Sequence, residues 1–173
     1  MLRLSTSLPQ LKLLEHLRAC RSPAGPGHPH AWNSSVTETG TRQLAAIVFA
    51  DMVGYTALMQ ADEATARQLR DRFREAFTEV VAEHQGQILQ HYGDGTLSMF
   101  ASAVEAVRCA VAIQKLLRED PRIPLRIGVH TGDVVYDGSG VYGHGVNVAA
   151  RIEALAASGG IMVSGKVYDE IKN

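Results

Sequence analysis

The apolar positions first run together and then fall into a helical period. "LAAIVFA", Leu44 to Ala50, is apolar throughout and predicts a buried strand. The run stops at a carboxylate, Asp51, and after Gly54 the pattern turns helical. Asp62 caps a helix whose Leu69, Phe73, Phe77 and Val80/Val81 form one stripe, closed by Gly86. "QILQHY" and "TLSMF" are two strands around "GDG", where Asp-Gly is a strong hairpin signal. Ser102 and Glu105 make a capping box for a helix carrying Val104, Val107, Val111 and Leu117 before Pro121. "LRIGVH" and "GDVVYD" read as two more strands. Val146 to Ala157 reads as a helix that packs on the sheet through Val148, Ile152 and Leu155. "IMV" is a short strand, and Ser164 caps a last helix. The order β-α-β-β-α-β-β-α-β-α predicts an α+β fold, a ferredoxin-like split βαβ sheet with helices packed on one face.

Residues 1–40 do not share this pattern. Leu11 to Cys20 suits a short amphipathic helix, and "RSPAGPGHPHAWNSS" then reads as a linker. The first twenty residues are basic and almost free of acids, which superficially suits a transit peptide. The expectation is a disordered arm over residues 1–40, possibly foreign to the domain, and one catalytic domain over 41–173.

Composition narrows the classes. With 46% hydrophobic and 20% charged residues the chain suits a soluble globular protein, expected in the cytoplasm. A net charge of −1 gives no reason to expect nucleic acid or an acidic membrane as partner, and no apolar run approaches spanning length. The two cysteines, Cys20 and Cys109, form no metal-ligand pattern, and Cys109 reads as a small core residue.

Asp51 ends the first strand and Asp94 sits at the hairpin tip, so a ferredoxin-like sheet brings both carboxylates to one edge. Neither has a cationic neighbour in sequence, and a hard divalent ion would relieve their repulsion. The amides of "MVGY" after Asp51 suit phosphate oxygens, and Gly54 permits a close approach. Taken singly, Asp94 reads first as an ordinary turn residue and Asp51 equally as a helix N-cap; taken together, the metal reading leads. Asn147 and Arg151, four apart, leave one helix face and suit a ribose or a phosphate gaining charge. Alone, they read first as a solvent-exposed pair. His91, His130 and His144 have no spaced partners and read as sheet-edge or loop residues.

"FADMVGYT", "HYGDGTLSMF", "LRIGVHTGDVV" and "YGHGVNVAARIEAL", in that order, resemble the class III nucleotidyl cyclase catalytic domain, the adenylate and guanylate cyclases. The resemblance covers Leu44 to Asn173. It implies two metal ions, Mg²⁺ or Mn²⁺, held by Asp51, Asp94 and the backbone of Met52. It implies a triphosphate cradled by Val53, Gly54, Tyr55 and Thr56, with Asn147 orienting the ribose and Arg151 stabilising the α-phosphate. It also implies a head-to-tail homodimer whose sites take metal residues from one chain and Asn/Arg from the other.

The base-selecting positions depart from the family. Gln90 stands where adenylate cyclases of this family usually carry Lys, and Gly140 where they carry Asp, Thr or Ser. A Gln amide satisfies adenine or guanine by flipping, so ATP is favoured over GTP only by analogy. The family's further strand pair, with a phosphate-binding Lys, would follow Asn173, so the domain reads as incomplete at its C-terminus. Two alternatives stay open: a catalytically weak nucleotide-binding or dimerisation module in a signalling protein, and a palm enzyme such as a diguanylate cyclase, whose hairpin signature is absent.

Overall fold

The structure, a computed structural model, describes residues 41–137 and 140–172. The expected helix at Leu11 to Cys20 and the linker after it lie outside them. The elements run β1 (Thr41–Met52), α1 (Tyr55–Ala61), α2 (Glu63–Glu83), β2 (Gln87–Tyr92), β3 (Gly95–Phe100) and α3 (Ala103–Leu116). They continue as β4 (Leu125–Asp137), β5 (Gly140–Tyr142), α4 (His144–Leu155), β6 (Ile161–Val163) and α5 (Gly165–Ile171). The strands lie in the order β2-β3-β1-β4-β5, with β6 parallel to the first half of β4. All other pairings are antiparallel. No helix among the described residues is long and apolar enough to cross a membrane.

Strand alternation divides the sheet into two faces. Ala46, Val48, Ala50 and Met52 of β1 join Leu125, Ile127 and Val129 of β4 under Phe73, Phe77, Val80 and Val81 of α2 and Ala106, Ala110 and Ile113 of α3. This is the main core, and Cys109 lies in it, its thiol pushed up to about 12 chiefly by burial. The odd residues of β1 and the even residues of β4, among them Asp51 and Arg126, point the other way.

α4 lies on that second face, unlike α2 and α3, which follow the one-face expectation. Glycine makes the seat: a Cβ at Gly128 would fall 2.3 Å from the Glu153 amide nitrogen, and one at Gly132 3.1 Å from Gly145 Cα. Gly132 therefore serves helix packing and turns no corner. That corrects the expectation of two strands, because "LRIGVH" and "GDVVYD" form one 13-residue strand paired along the whole of β1. It also leaves His130 buried in mid-strand rather than at an edge.

The helix ends follow the sequence closely. Asp62 accepts from Thr65 N, Ser102 from Glu105 N, and Ser164 from Val167 N. The capping box is half made, since the Glu105 carboxylate turns to His84 and Arg108. Asp51 caps nothing; the residue before α1 is Gly54, with no side-chain cap. Two helix faces differ from expectation. α3 buries its small residues Ala103, Ala106 and Ala110, leaving Val104 and Val111 exposed. α4 buries Gly145, Val146, Ala149, Ala150 and Glu153, while Leu155 is 74% exposed. In both, the small side chains let the helix approach its neighbours closely.

Candidate active site

The expected carboxylate pair forms at the C-terminal end of β1. Tyr92 pairs with Gly95, so the hairpin turns on Gly93 and Asp94 rather than on Asp94 and Gly95. Gly93 has φ 54°, the positive value that suits the first central residue of a tight hairpin turn. Arg74 of α2 donates to the Gly93 carbonyl at 2.9 Å, and Met52 N donates to the Asp94 carbonyl at 3.2 Å. Those contacts tie the hairpin tip to α2 and to the end of β1. Gly95 is the cross-strand partner of Asp51, so the two acids meet.

Their electrostatics record the meeting. Burial and the nearby Asp94 raise the Asp51 carboxyl to about 6, against the opposing pull of Arg126. Burial also raises Asp94. Two anions that resist ionisation so close together suit a divalent cation. Among the described residues no group of three or more His, Cys, Asp or Glu forms a metal cage. Magnesium takes one or two carboxylates and fills its other positions with phosphate and water, so this pair with the Met52 backbone fits it.

The cationic neighbour that the sequence did not show is Arg126, in register with Asp51 on β4. Its Nη2 donates to Asp51 Oδ2 at 3.0 Å, and its Nε lies 3.0 Å from Glu153 Oε1 on α4. Burial first, and then the two aspartates, raise Glu153 to about 7 despite Arg126. Sequence reasoning missed both residues. The signals were the alternation Leu125, Ile127, Val129 against Arg126, Gly128, and the i,i+4 series Gly145, Ala149, Glu153.

Downstream of Asp51, the Val53 amide is already taken by the Pro124 carbonyl at 2.8 Å. Gly54, at φ 80° and with open space around its Cα, then leads into α1, where Tyr55 is half-buried and Thr56 exposed. Gln90 is exposed on the same sheet face as Asp51, in register with Leu97 and through it with Phe49. Gly140 pairs with Asp137, nine residues along β4 from the level of Gln90, about 30 Å at the usual strand rise.

Asn147 and Arg151 are exposed on the side of α4 away from its buried face. Neither side chain makes a hydrogen bond or ion pair among the described residues. One chain thus brings Asp51, Met52 and Asp94 together at one end of the sheet, and turns Asn147 and Arg151 outward elsewhere.

Comparisons with known proteins identify the family to which these motifs belong. Residues 38–173 match the family described as the adenylate and guanylate cyclase catalytic domain. A Rhizobium meliloti (strain 1021) protein, provisionally named adenylate cyclase 3, is 45% identical over 142 residues, 78% of this chain. Adenylate cyclase 1 of the same organism is 29% identical over 160 residues, 76% of this chain. The chain spans about a quarter of these relatives, 24% of each. The crystal structure of an adenylate/guanylate cyclase/hydrolase from Silicibacter pomeroyi superimposes with a TM-score of 0.69 at 38% identity, covering 75% of this chain and 80% of that one. The chain belongs to the adenylate and guanylate cyclase catalytic domain family.

Proposed function

We propose that this chain is the catalytic domain of a nucleotidyl cyclase that converts ATP, with GTP as the alternative substrate, to a 3′,5′-cyclic nucleotide and pyrophosphate at sites shared by two copies. The observation that carries the reading is the separation of two complementary half-sites on one chain. Asp51 and Asp94 form an anionic, metal-suited end of the sheet. Asn147 and Arg151 present an amide and a guanidinium without partners among the described residues, on an outward helix face. Gln90 and Gly140, the two base-facing positions of the resemblance, lie about 30 Å apart along the sheet, so both act on one base only when a second copy supplies one of them.

Divalent ions held by Asp51, Asp94 and the Met52 backbone would lower the pKa of the ribose 3′-hydroxyl and neutralise the triphosphate. The chain's own groups orient the reaction. The Gly54, Tyr55 and Thr56 amides face the phosphates at the first turn of α1, whereas the Val53 amide is spent on Pro124. Asn147 of the second copy holds the ribose so that its 3′-oxygen lies in line with the α-phosphorus. The 3′-hydroxyl gives its proton to solvent, its oxygen forms the new bond to that phosphorus, the bond to the bridging oxygen breaks, and pyrophosphate leaves with the electron pair. Arg151 of the second copy binds the α-phosphate oxygens as their charge grows. No protein nucleophile takes part.

Turnover of ATP and GTP, each with Mn²⁺ and Mg²⁺, tests the reading with Arg151→Ala as control. Cyclic nucleotide that disappears in the control is the expected result. Metal-dependent nucleotide binding without product would favour the binding-module alternative, to which Gln90 and Gly140 point.

A further inference from the structure

Arg126 touches two carboxylates, but not equally. Its Nη2 makes a hydrogen bond to Asp51 Oδ2 at 3.0 Å. Its Nε stands at the same 3.0 Å from Glu153 Oε1, yet both of these atoms are buried without a hydrogen-bond partner. At that distance only misalignment prevents the bond, so the guanidinium is ion-paired with both carboxylates but aligned for a hydrogen bond with Asp51 alone. A guanidinium has donors in a fixed fork, and a modest rotation would align the Nε edge with Glu153.

Glu153 has little freedom to improve the contact itself. It is 4% exposed, and its backbone is pressed against the strand at Gly128, where even a Cβ has no space. Three carboxylates, Asp51, Asp94 and Glu153, feel the one guanidinium. A buried ion left without its partner is strongly destabilising. Any cation arriving at Asp51 repels Arg126 and removes its hydrogen-bond acceptor. The Glu153 carboxylate is the acceptor within reach.

We propose that Arg126 is an exchangeable counter-ion of Asp51, and that Glu153 is a positioning residue that takes Arg126 over when a divalent cation occupies Asp51 and Asp94. The inference rests on the metal reading of that pair given above. Glu153 never touches the cation. It lowers the cost of cation binding by giving the displaced guanidinium a complete ion pair. The under-made contact in the present structure is the resting half of that exchange.

The test is Mn²⁺ binding in the absence of nucleotide, read from the paramagnetic signal of free Mn²⁺. The proteins are the full chain, Arg126→Gln, Glu153→Gln and the double variant. Glu153→Gln is expected to weaken Mn²⁺ binding about tenfold in the wild-type background. Arg126→Gln tightens it, and Glu153→Gln then adds little, because the residue acts through Arg126. An equal loss in both backgrounds, or no loss in either, overturns the exchange and leaves the metal reading standing. Mn²⁺ binding that survives Asp51→Ala, or none at all in the wild type, overturns the metal reading itself and this inference with it. Thermal melts verify each fold, and Glu153→Asp, which keeps the charge, is expected to recover part of the affinity that Glu153→Gln loses.

Discussion

Gly95 and Asp51 are cross-strand partners, and a Cβ at position 95 would stand 3.3 Å from Asp51 Oδ1 and 3.1 Å from the Ala50 carbonyl oxygen. Gly95 is not among the residues of positive φ, so what it supplies is space and not conformation. Its absent side chain leaves the Asp51 carboxylate free to settle beside Asp94. Gly95→Ala is therefore expected to fold with a Tm lowered by only a few degrees. Turnover should fall by tenfold or more, because small displacements at a reacting centre are costly. Melting curves and initial rates on the same preparation check this, and an unchanged rate would show that Asp51 tolerates the crowding.

The proposed division of the site between two copies predicts complementation. Asp51→Ala and Arg151→Ala chains are each expected to be inactive alone. Mixed in equal amounts, half of the dimers carry one lesion on each chain and so keep one intact site. Recovery should approach about a quarter of wild-type activity. Recovery of nothing, with dimers verified by sedimentation, would place all catalytic groups of a site on one chain.

Much of this site was legible because its signals are local. Asp51 interrupts an apolar strand, Asp94 sits in a hairpin tip, and three helix starts are marked by Asp62, Ser102 and Ser164, each found accepting its expected amide. Arg126 and Glu153 were not legible by the same means. Their roles come from strand register and from a helix on the second sheet face, both non-local. Arg126 reads as an exposed residue of a strand until β4 is paired with β1. Glu153 reads as part of the solvated side of α4 until Gly128 admits that helix to the sheet. The same close approach explains the misread faces: valines and leucines look like the buried stripe, but the tight contacts belong to glycines and alanines.

Base choice gives a third prediction. Gln90 is exposed on the sheet face that carries Asp51, and its amide offers both a donor and an acceptor. A lysine there offers donors alone, which suits the N1 acceptor of adenine and opposes the N1–H of guanine. Gln90→Lys is expected to raise the ratio of kcat/KM for ATP to that for GTP by on the order of tenfold, mostly through loss on GTP. The ratio in competition assays measures it. A ratio that does not move would remove Gln90 from base recognition.

The buried acids make the metal-free protein sensitive to pH, and the sign can be worked out. Glu153 rises from 4.5 to about 7 on folding, by burial first and then by Asp51 and Asp94, with Arg126 opposing. The folded chain therefore holds a proton that the unfolded chain releases. The contribution of Glu153 is present in full below pH 4.5 and is lost as pH rises through about 7. Asp51 and Asp94, raised chiefly by burial, act in the same sense as Glu153, whereas His130 and His91, lowered chiefly by burial, act in the opposite sense below their ordinary value, so the total curve mixes all of these. Glu153→Gln isolates the contribution of this one carboxyl, because glutamine resembles the protonated acid at every pH. Without metal, the variant and the wild type should melt at similar temperatures near pH 5, and the variant should melt higher near pH 8. A difference in Tm that stays flat from pH 5 to 8 would mean that Glu153 is already ionised throughout. In that case Arg126 holds it as a settled ion pair, and burial does not govern its charge.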